Sequence, residues 1–176
     1  MILLVMGVSG AGKTTVGRLL AASLGWEFVD ADAFHPPQNR EKMGRGIPLD
    51  EADRAPWLAA LAAAIDGWLA ERRPVVLACS ALRRSYRRIL LRDPGEMKVI
   101  YLEGDPALLR ARLEQRAGHF AGSALLESQL ETLEEPDDAL TVDVAAPPEA
   151  LVQAIRAGLG LDAGQPPSSE AEAGSR

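Results

Sequence analysis

Residues 2–14 read ILLVMGVSGAGKT, an apolar run that breaks at Gly7 into a glycine-rich turn and then meets a lysine and a threonine. A short, fully apolar run fits a strand buried on both faces of a parallel sheet. The turn, Gly7–Thr14, completes the pattern G-x-x-x-x-G-K-[ST] and opens a helix predicted over Lys13–Leu24, stopped near Gly25. Its glycines let the backbone curl with N–H groups inward at the positive end of a helix, which makes a nest for an anion. Gly7, Val8, Ser9, Gly10, Ala11, Gly12, Lys13, Thr14 and Thr15 are therefore the candidate residues for holding a nucleotide polyphosphate. Lys13 would reach the β- and γ-phosphate oxygens, and the Thr14 hydroxyl would face Mg²⁺. The strand before the turn and the helix after it weigh against a chance match.

Working outward, Glu27–Val29 reads as a second strand ending on Asp30, and Gln38–Met43 as a short helix ended by Gly44. Pro56 suits a helix first turn, and Trp57, Leu58, Leu61, Ile65, Trp68 and Leu69 repeat at helical spacing as core residues. Strands are predicted over Val75–Cys79, Lys98–Leu102 and Thr141–Val144. Helices are predicted over Leu82–Leu91, Pro106–Gln115, from Ser123 to about Glu134, and over Pro148–Leu159. Strands alternating with helices predict a three-layer α/β fold around a mainly parallel five-stranded sheet, with ligands at the carboxyl ends of the strands. Gly7, Asp30, Asp32, Ser80 and Glu103 should then face one crevice. One domain, residues 1–160, is expected, followed by a small, polar, proline-containing tail over 161–176 that reads as disordered.

The chain has 176 residues and a formal charge of −6, which argues against nucleic acid or an anionic membrane as the main partner. Any anionic ligand must be met by local positive charge. Cys79 is the only cysteine, so no internal disulfide can form, and its apolar setting reads as a buried thiol. The opening MILLVM lacks the basic leader of a signal sequence, and no stretch approaches the ~20 apolar residues of a membrane span. A soluble, cytoplasmic protein is the expectation.

Holding a nucleotide is not yet transferring its phosphate. A GTPase-type switch would carry D-x-x-G and N-K-x-D segments, and neither is present. A motor or transporter ATPase would carry a strand ending in an acid, whereas VVLACS ends without one. The second strand instead ends in an acidic pair, Asp30 and Asp32, two residues apart. One carboxylate could help to hold hydrated Mg²⁺, and the other could orient an acceptor hydroxyl and take its proton. A helix cap or turn is the structural alternative for either.

His35, Arg40, Lys42, Arg45 and Arg54 come next, a set suited to an acidic metabolite whose carboxylate meets an arginine fork. Five arginines between Arg83 and Arg92 are spread around a helix, so that one or two of them can serve a site. In LLRARLEQRAGHF, arginines can stack on adenine and neutralise charge on the transferred group, with RAGHF as a lid. His119 reads as a lid or substrate contact rather than a metal ligand, since only one other histidine exists.

Taken in order, GVSGAGKTTVG, FVDADAFHPPQNREKMGRGIPLDEADRAPWL, ACSALRRSYRRILL, YLEG, RAGHF and ESQLETLEEP resemble the gluconokinases of the small P-loop type, over about residues 3–159. The resemblance implies ATP-dependent phosphorylation of D-gluconate at its 6-hydroxyl and a fold like that of the shikimate and nucleoside monophosphate kinases. A moving lid and commonly a homodimer are implied as well. Carried over by position, the loop binds ATP and Mg²⁺, Thr14 and Asp30 hold the metal, and Asp30 and Asp32 lie at the acceptor hydroxyl. Arg40, Arg54 and Arg83 are implied gluconate contacts, with His35, Lys42 and His119 beside them. By analogy with shikimate kinases, Arg112 lies against adenine and Arg116 stabilises the transferring group. Lys13, Asp32 and Arg116 form the catalytic set, with Asp32 as the general base. Another small-metabolite kinase such as a shikimate kinase is the enzymatic alternative, and H-P-x-x-N-x-x-K-M speaks against it. A non-catalytic nucleotide-binding regulatory module is the other, and intact Lys13, Thr14, Asp30 and Asp32 speak against that.

Overall fold

A computed structural model describes residues 1–117 and 121–161, with the side chains at 116–117 and 121–124 outside the description. The expected tail, apart from Leu161, therefore lies outside the described residues. Five strands form one sheet: β1 (Ile2–Met6), β2 (Glu27–Asp30), β3 (Val75–Ala78), β4 (Met97–Glu103) and β5 (Leu140–Asp143). Their order is β2-β3-β1-β4-β5, and every pairing is parallel rather than mainly so.

β1 is buried along its whole length because both of its faces are covered. Side chains alternate across a strand. Ile2, Leu4 and Met6 accordingly join one core, and Leu3 and Val5 the other. The first core is roofed by α3 (Glu51–Ala70) and α4 (Arg84–Leu90) through Trp57, Leu61, Ile65, Trp68, Tyr86 and Leu90. The second is roofed by α1 (Lys13–Leu24), α5 (Pro106–Ala117), α6 (Ala121–Thr132) and α7 (Pro148–Gly158) through Val16, Leu20, Leu109, Leu126, Leu151 and Ile155. Fully burying each such aliphatic side chain contributes about 1.5–3 kcal/mol.

α1 ends as its sequence foretold. Gly25 adopts φ 67°, and the Trp26 N–H reaches back to the Ala21 carbonyl at 2.9 Å. That is the glycine stop of a Schellman-type turn. α2 (Pro37–Gly44) opens with Pro37 at its first turn.

α3 corrects the expectation that Pro56 marks a first turn, since the helix begins five residues earlier at Glu51. Asp50 Oδ1 accepts the Asp53 N–H at 2.8 Å, and Asp53 Oδ2 accepts the Asp50 N–H at 3.1 Å. This reciprocal cap satisfies two otherwise orphaned donors. Pro56 forgoes one helical hydrogen bond further in.

The parallel register brings the carboxyl ends of the strands together, Val5 and Asp30 each opposite Ala78, and Glu103 opposite Asp143. Gly7, Asp30 and Ser80 thus leave the sheet at its carboxyl end, next to the point beside β1 where the strand order reverses.

Candidate active site

β1 delivers its chain directly into the glycine loop. Gly7 has φ 148°, and a Cβ there would stand 2.8 Å from the Leu102 carbonyl oxygen on the neighbouring strand. Gly12, at φ 90° in the left-handed region, turns the loop into α1. Only glycine meets both demands without strain. Lys13 folds back over the loop, its Nζ donating to the Val8 carbonyl at 3.1 Å. Burial lowers its pKa, against the pull of Cys79, Asp32 and Asp30.

A cavity of about 270 Å³ opens beside the loop, lined by Gly10, Gly12, Thr15, Arg112, Gln115 and Pro148 among others. Arg112 Nη2 donates to the Val144 carbonyl at 2.7 Å, which fixes the guanidinium at that cavity. Cys79, just past β3, is buried, and burial pushes its thiol up to about 12. It is no nucleophile at neutral pH.

Opposite the loop, Asp30 takes the capping role weighed for it and turns its second oxygen to the start of α1. Its Oδ1 accepts the Asp32 N–H at 3.1 Å and caps a 3-10 turn over Ala31–Phe34, while Oδ2 accepts the Thr14 hydroxyl at 3.4 Å. A hydroxyl and a carboxylate at this separation are the hard oxygen donors that suit Mg²⁺. The Asp32 side chain, in that turn, is exposed. Desolvation by its surroundings and then the Asp30 charge raise its carboxyl above the ordinary Asp value, against the opposing pull of His35 and Lys13.

The turn that carries Asp32 is held from below. Trp57 Nε1 donates to the Ala31 carbonyl at 2.8 Å, and the indole stacks on His35 with ring centres 4.5 Å apart and planes 13° from parallel. His35 is only 5% exposed, so it sits behind the crevice wall and not on it. Asn39 Nδ2 donates to the Asp53 carbonyl at 2.7 Å and lies 3.3 Å from His35 Nδ1. The first of these bonds fixes the amide orientation, which makes His35 Nδ1 an acceptor and assigns the ring proton to Nε2. Nε2 faces Asp32 Oδ1 at 3.9 Å. Burial lowers the His35 pKa below the ordinary imidazole value, against the pull of Asp32.

The other basic candidates divide. Arg40 donates to the His35 and Ala33 carbonyls, both at 2.9 Å, and so braces the turn that carries Asp32. Lys42 bonds both carboxylate oxygens of Asp53 at 2.7 Å, tying α2 to the start of α3. Arg54 and Arg83 come together on one carboxylate. Glu51 Oε1 lies 3.5 Å from Arg54 Nη1, 2.8 Å from Arg83 Nη1 and 2.7 Å from the Tyr86 hydroxyl that donates to it. The Arg116 side chain and all of His119 lie outside the described residues, and with them Gly118 and Phe120 of the expected lid segment RAGHF. Elsewhere in the arginine-rich stretch, Arg87 is buried and donates to the Ala81 and Leu82 carbonyls.

Sequence reasoning missed Glu51, Tyr86 and Gln129. Gln129 Oε1, from α6, accepts the Ser9 N–H of the phosphate loop at 2.6 Å. It lies in the ESQLETLEEP block, where a neutral amide gives no charge signal. The assembled site offers an anion nest, a hard-cation pair, a carboxylate of raised pKa and a twin-arginine cluster.

The shikimate kinase family model matches residues 9–146. The chain is 50% identical over 140 residues to the gluconokinase of Gluconobacter oxydans (strain 621H), covering 77% of this chain and 76% of that one. It is 47% identical over 152 residues to the probable gluconokinase of Mus musculus, covering 77% of this chain and 83% of that one. Among solved structures, a gluconokinase from Sinorhizobium meliloti 1021 superposes with a TM-score of 0.81 at 47% identity, covering 92% of each chain.

Proposed function

The chain belongs to the gluconokinase family, and from that premise we propose which residues carry each part of the reaction. It is an enzyme that phosphorylates gluconate at the expense of ATP. The finer reading is transfer of the γ-phosphoryl group to the 6-hydroxyl of D-gluconate, giving 6-phospho-D-gluconate and ADP.

One observation carries the division of labour: the Thr14 hydroxyl and the Asp30 carboxylate face each other at 3.4 Å, with Asp32 two residues on. The donor side and the acceptor side of a transfer reaction meet there. The N–H groups of Gly7–Thr15 cradle the phosphates of ATP, and Lys13 supplies the compensating charge. Arg112, at the cavity beside the loop, takes the adenine face. Thr14 and Asp30 hold Mg²⁺, which when bound supplies charge neutralisation for the phosphates.

As the acceptor oxygen bonds to the γ-phosphorus and the bridge to ADP breaks, the hydroxyl proton passes to Asp32. Phosphoryl transfer through a loose transition state demands positioning more than strong basicity. A carboxyl of raised pKa is adequate to that task. Arg54 and Arg83 receive the carboxylate at the far end of the acceptor. Arg116 and His119 are assigned to the transferring group and the lid by resemblance. His35, Arg40 and Lys42 contribute by holding the acceptor wall, a role supported by their hydrogen bonds.

A cytoplasmic setting belongs to the same reading, supported by the single cysteine. No helix among the described residues is long and apolar enough to cross a membrane. Homodimerisation rests on the resemblance, and light scattering tests it. The decisive experiment is a coupled ADP-release assay with gluconate, shikimate and neutral sugars. Stimulation by gluconate alone is expected, and a rate with gluconate no greater than with ATP alone overturns the assignment.

A further inference from the structure

Glu51 stands at the first position of α3, after the Asp50 cap, and its carboxylate does more than close the helix. A single oxygen, Oε1, meets two guanidinium groups and a phenol: Arg83 at 2.8 Å, Arg54 at 3.5 Å and the Tyr86 hydroxyl at 2.7 Å. Both guanidiniums lie over the Tyr86 ring, with Arg54 6.0 Å and Arg83 5.8 Å from its centre. Tyr86 is itself a core residue, packed with Trp57 and Leu61 against the sheet. The three donors are therefore organised around a buried ring. The acceptor is the exposed partner, since the Glu51 side chain is 61% exposed. Donors gathered round that ring, with Arg54 Nη1 also 3.4 Å from the Tyr86 hydroxyl, meet one oxygen of a solvent-facing carboxylate, which is the form of a receptor for a carboxylate.

The receptor adjoins the reacting end of the crevice. Arg54 lies one helical turn before Trp57, on which His35 stacks, and His35 Nε2 in turn faces Asp32 Oδ1 at 3.9 Å. A sugar acid long enough to present a hydroxyl to Asp32 carries its carboxylate towards this cluster.

We propose that Glu51 is a resident stand-in for the acceptor's carboxylate: an incoming sugar acid binds by displacing Glu51 Oε1 from Arg54, Arg83 and Tyr86, and the Glu51 side chain turns out to solvent. The proposal rests on the reading of the acceptor as a sugar acid. Displacement makes acceptor selection an exchange of one carboxylate for another. A neutral sugar has no group to offer the two guanidiniums in return, so Glu51 keeps its place and the sugar is refused. The acid in turn binds more weakly than the twin-arginine site would allow if it were empty.

Glu51→Gln retains the shape of the side chain and removes the competing charge. The KM for gluconate should fall about threefold, the worth of one partly exposed ion pair, with the KM for ATP as the internal reference. The rise in thermal midpoint on adding gluconate should be larger in the variant than in the wild type. Glu51→Asp keeps an acid at the helix start but draws the carboxylate back, and should shift both readouts the same way should the glutamine variant fold poorly. A KM for gluconate that rises or stays constant, with a ligand-induced thermal shift no larger than wild type, overturns the displacement and makes Glu51 an anchor for the arginines. If gluconate fails in the wild type while another monocarboxylic sugar acid succeeds, the substrate assignment falls and the same comparison with that acid decides the role of Glu51. If no monocarboxylate stabilises either variant more than the wild type, the displacement falls.

Discussion

Thr14 and Asp30 come from consecutive elements, α1 and β2, and meet hydroxyl to carboxylate at 3.4 Å across the edge of the sheet. If this pair holds Mg²⁺, Thr14→Val should remove one oxygen donor without adding bulk. We expect kcat/KM to fall about 10²-fold, with a higher Mg²⁺ concentration for half-maximal rate. Titration of the rate with Mg²⁺ checks this, and an unchanged Mg²⁺ requirement contradicts the assignment.

Asp32 should govern the acid side of the pH profile. Its carboxyl is raised above the ordinary Asp value by desolvation and by Asp30, so the charged form that accepts a proton disappears at a higher pH than usual. Activity should therefore decline on acidification before the ordinary Asp range is reached, and Asp32→Asn should abolish that limb while lowering kcat more than gluconate affinity. The stability consequence has the opposite sign. Protonating a carboxyl whose folded pKa is raised favours the folded state, so Asp32→Asn should not destabilise the protein at neutral pH. Rate profiles and thermal midpoints across pH test both statements, and an unshifted acid limb in the variant removes Asp32 from the proton's path.

His35 acts through Asp32. Replacing it with phenylalanine keeps a ring to stack on Trp57 and deletes the Nε2–H that faces Asp32 Oδ1 at 3.9 Å. The expected loss is about threefold in kcat, the worth of one charge contact at an exposed carboxylate. The acid limb should move to higher pH, because the interaction with His35 lowers the Asp32 pKa. A variant with reduced kcat and an unmoved limb would give His35 a packing role alone.

Asp53 should contribute to stability in a pH-dependent way. The Lys42 ammonium and the Asp50 backbone hold its carboxyl below the ordinary Asp value, so the stabilisation is present above the usual carboxylate range and is lost as pH falls through the depressed pKa. Asp53→Asn should lower the thermal midpoint at neutral pH, and the difference from wild type should close on acidification. Midpoints that stay equally separated at the lowest pH would assign the effect to the helix cap rather than to the charge.

The phosphate loop was legible because everything it needs is local: apolar strand, glycines at tight positions, lysine and threonine at the helix start. The start of α3 was obscured by Pro56, whose preference for a first turn masked the D-x-x-D cap of Asp50 and Asp53. Asp30 shows that capping does not exhaust a carboxylate, since one oxygen takes the Asp32 N–H and the other meets the Thr14 hydroxyl. Tyr86 lies 35 residues from Glu51, and Gln129 lies 120 from Ser9. Contacts at such separations depend on which helix covers which face of the sheet, and periodicity does not encode that.

The division of α3 has a consequence for how such an enzyme can change. Its first turn carries Glu51 and Arg54 at the surface, while Trp57, Leu61, Ile65 and Trp68 further along pack into the core. Folding and selectivity thus occupy successive lengths of one helix. Substitutions at positions 51 and 54 can explore other acids while the buried turns go on anchoring the helix, which makes this element a natural starting point for redirecting the enzyme to new acceptors.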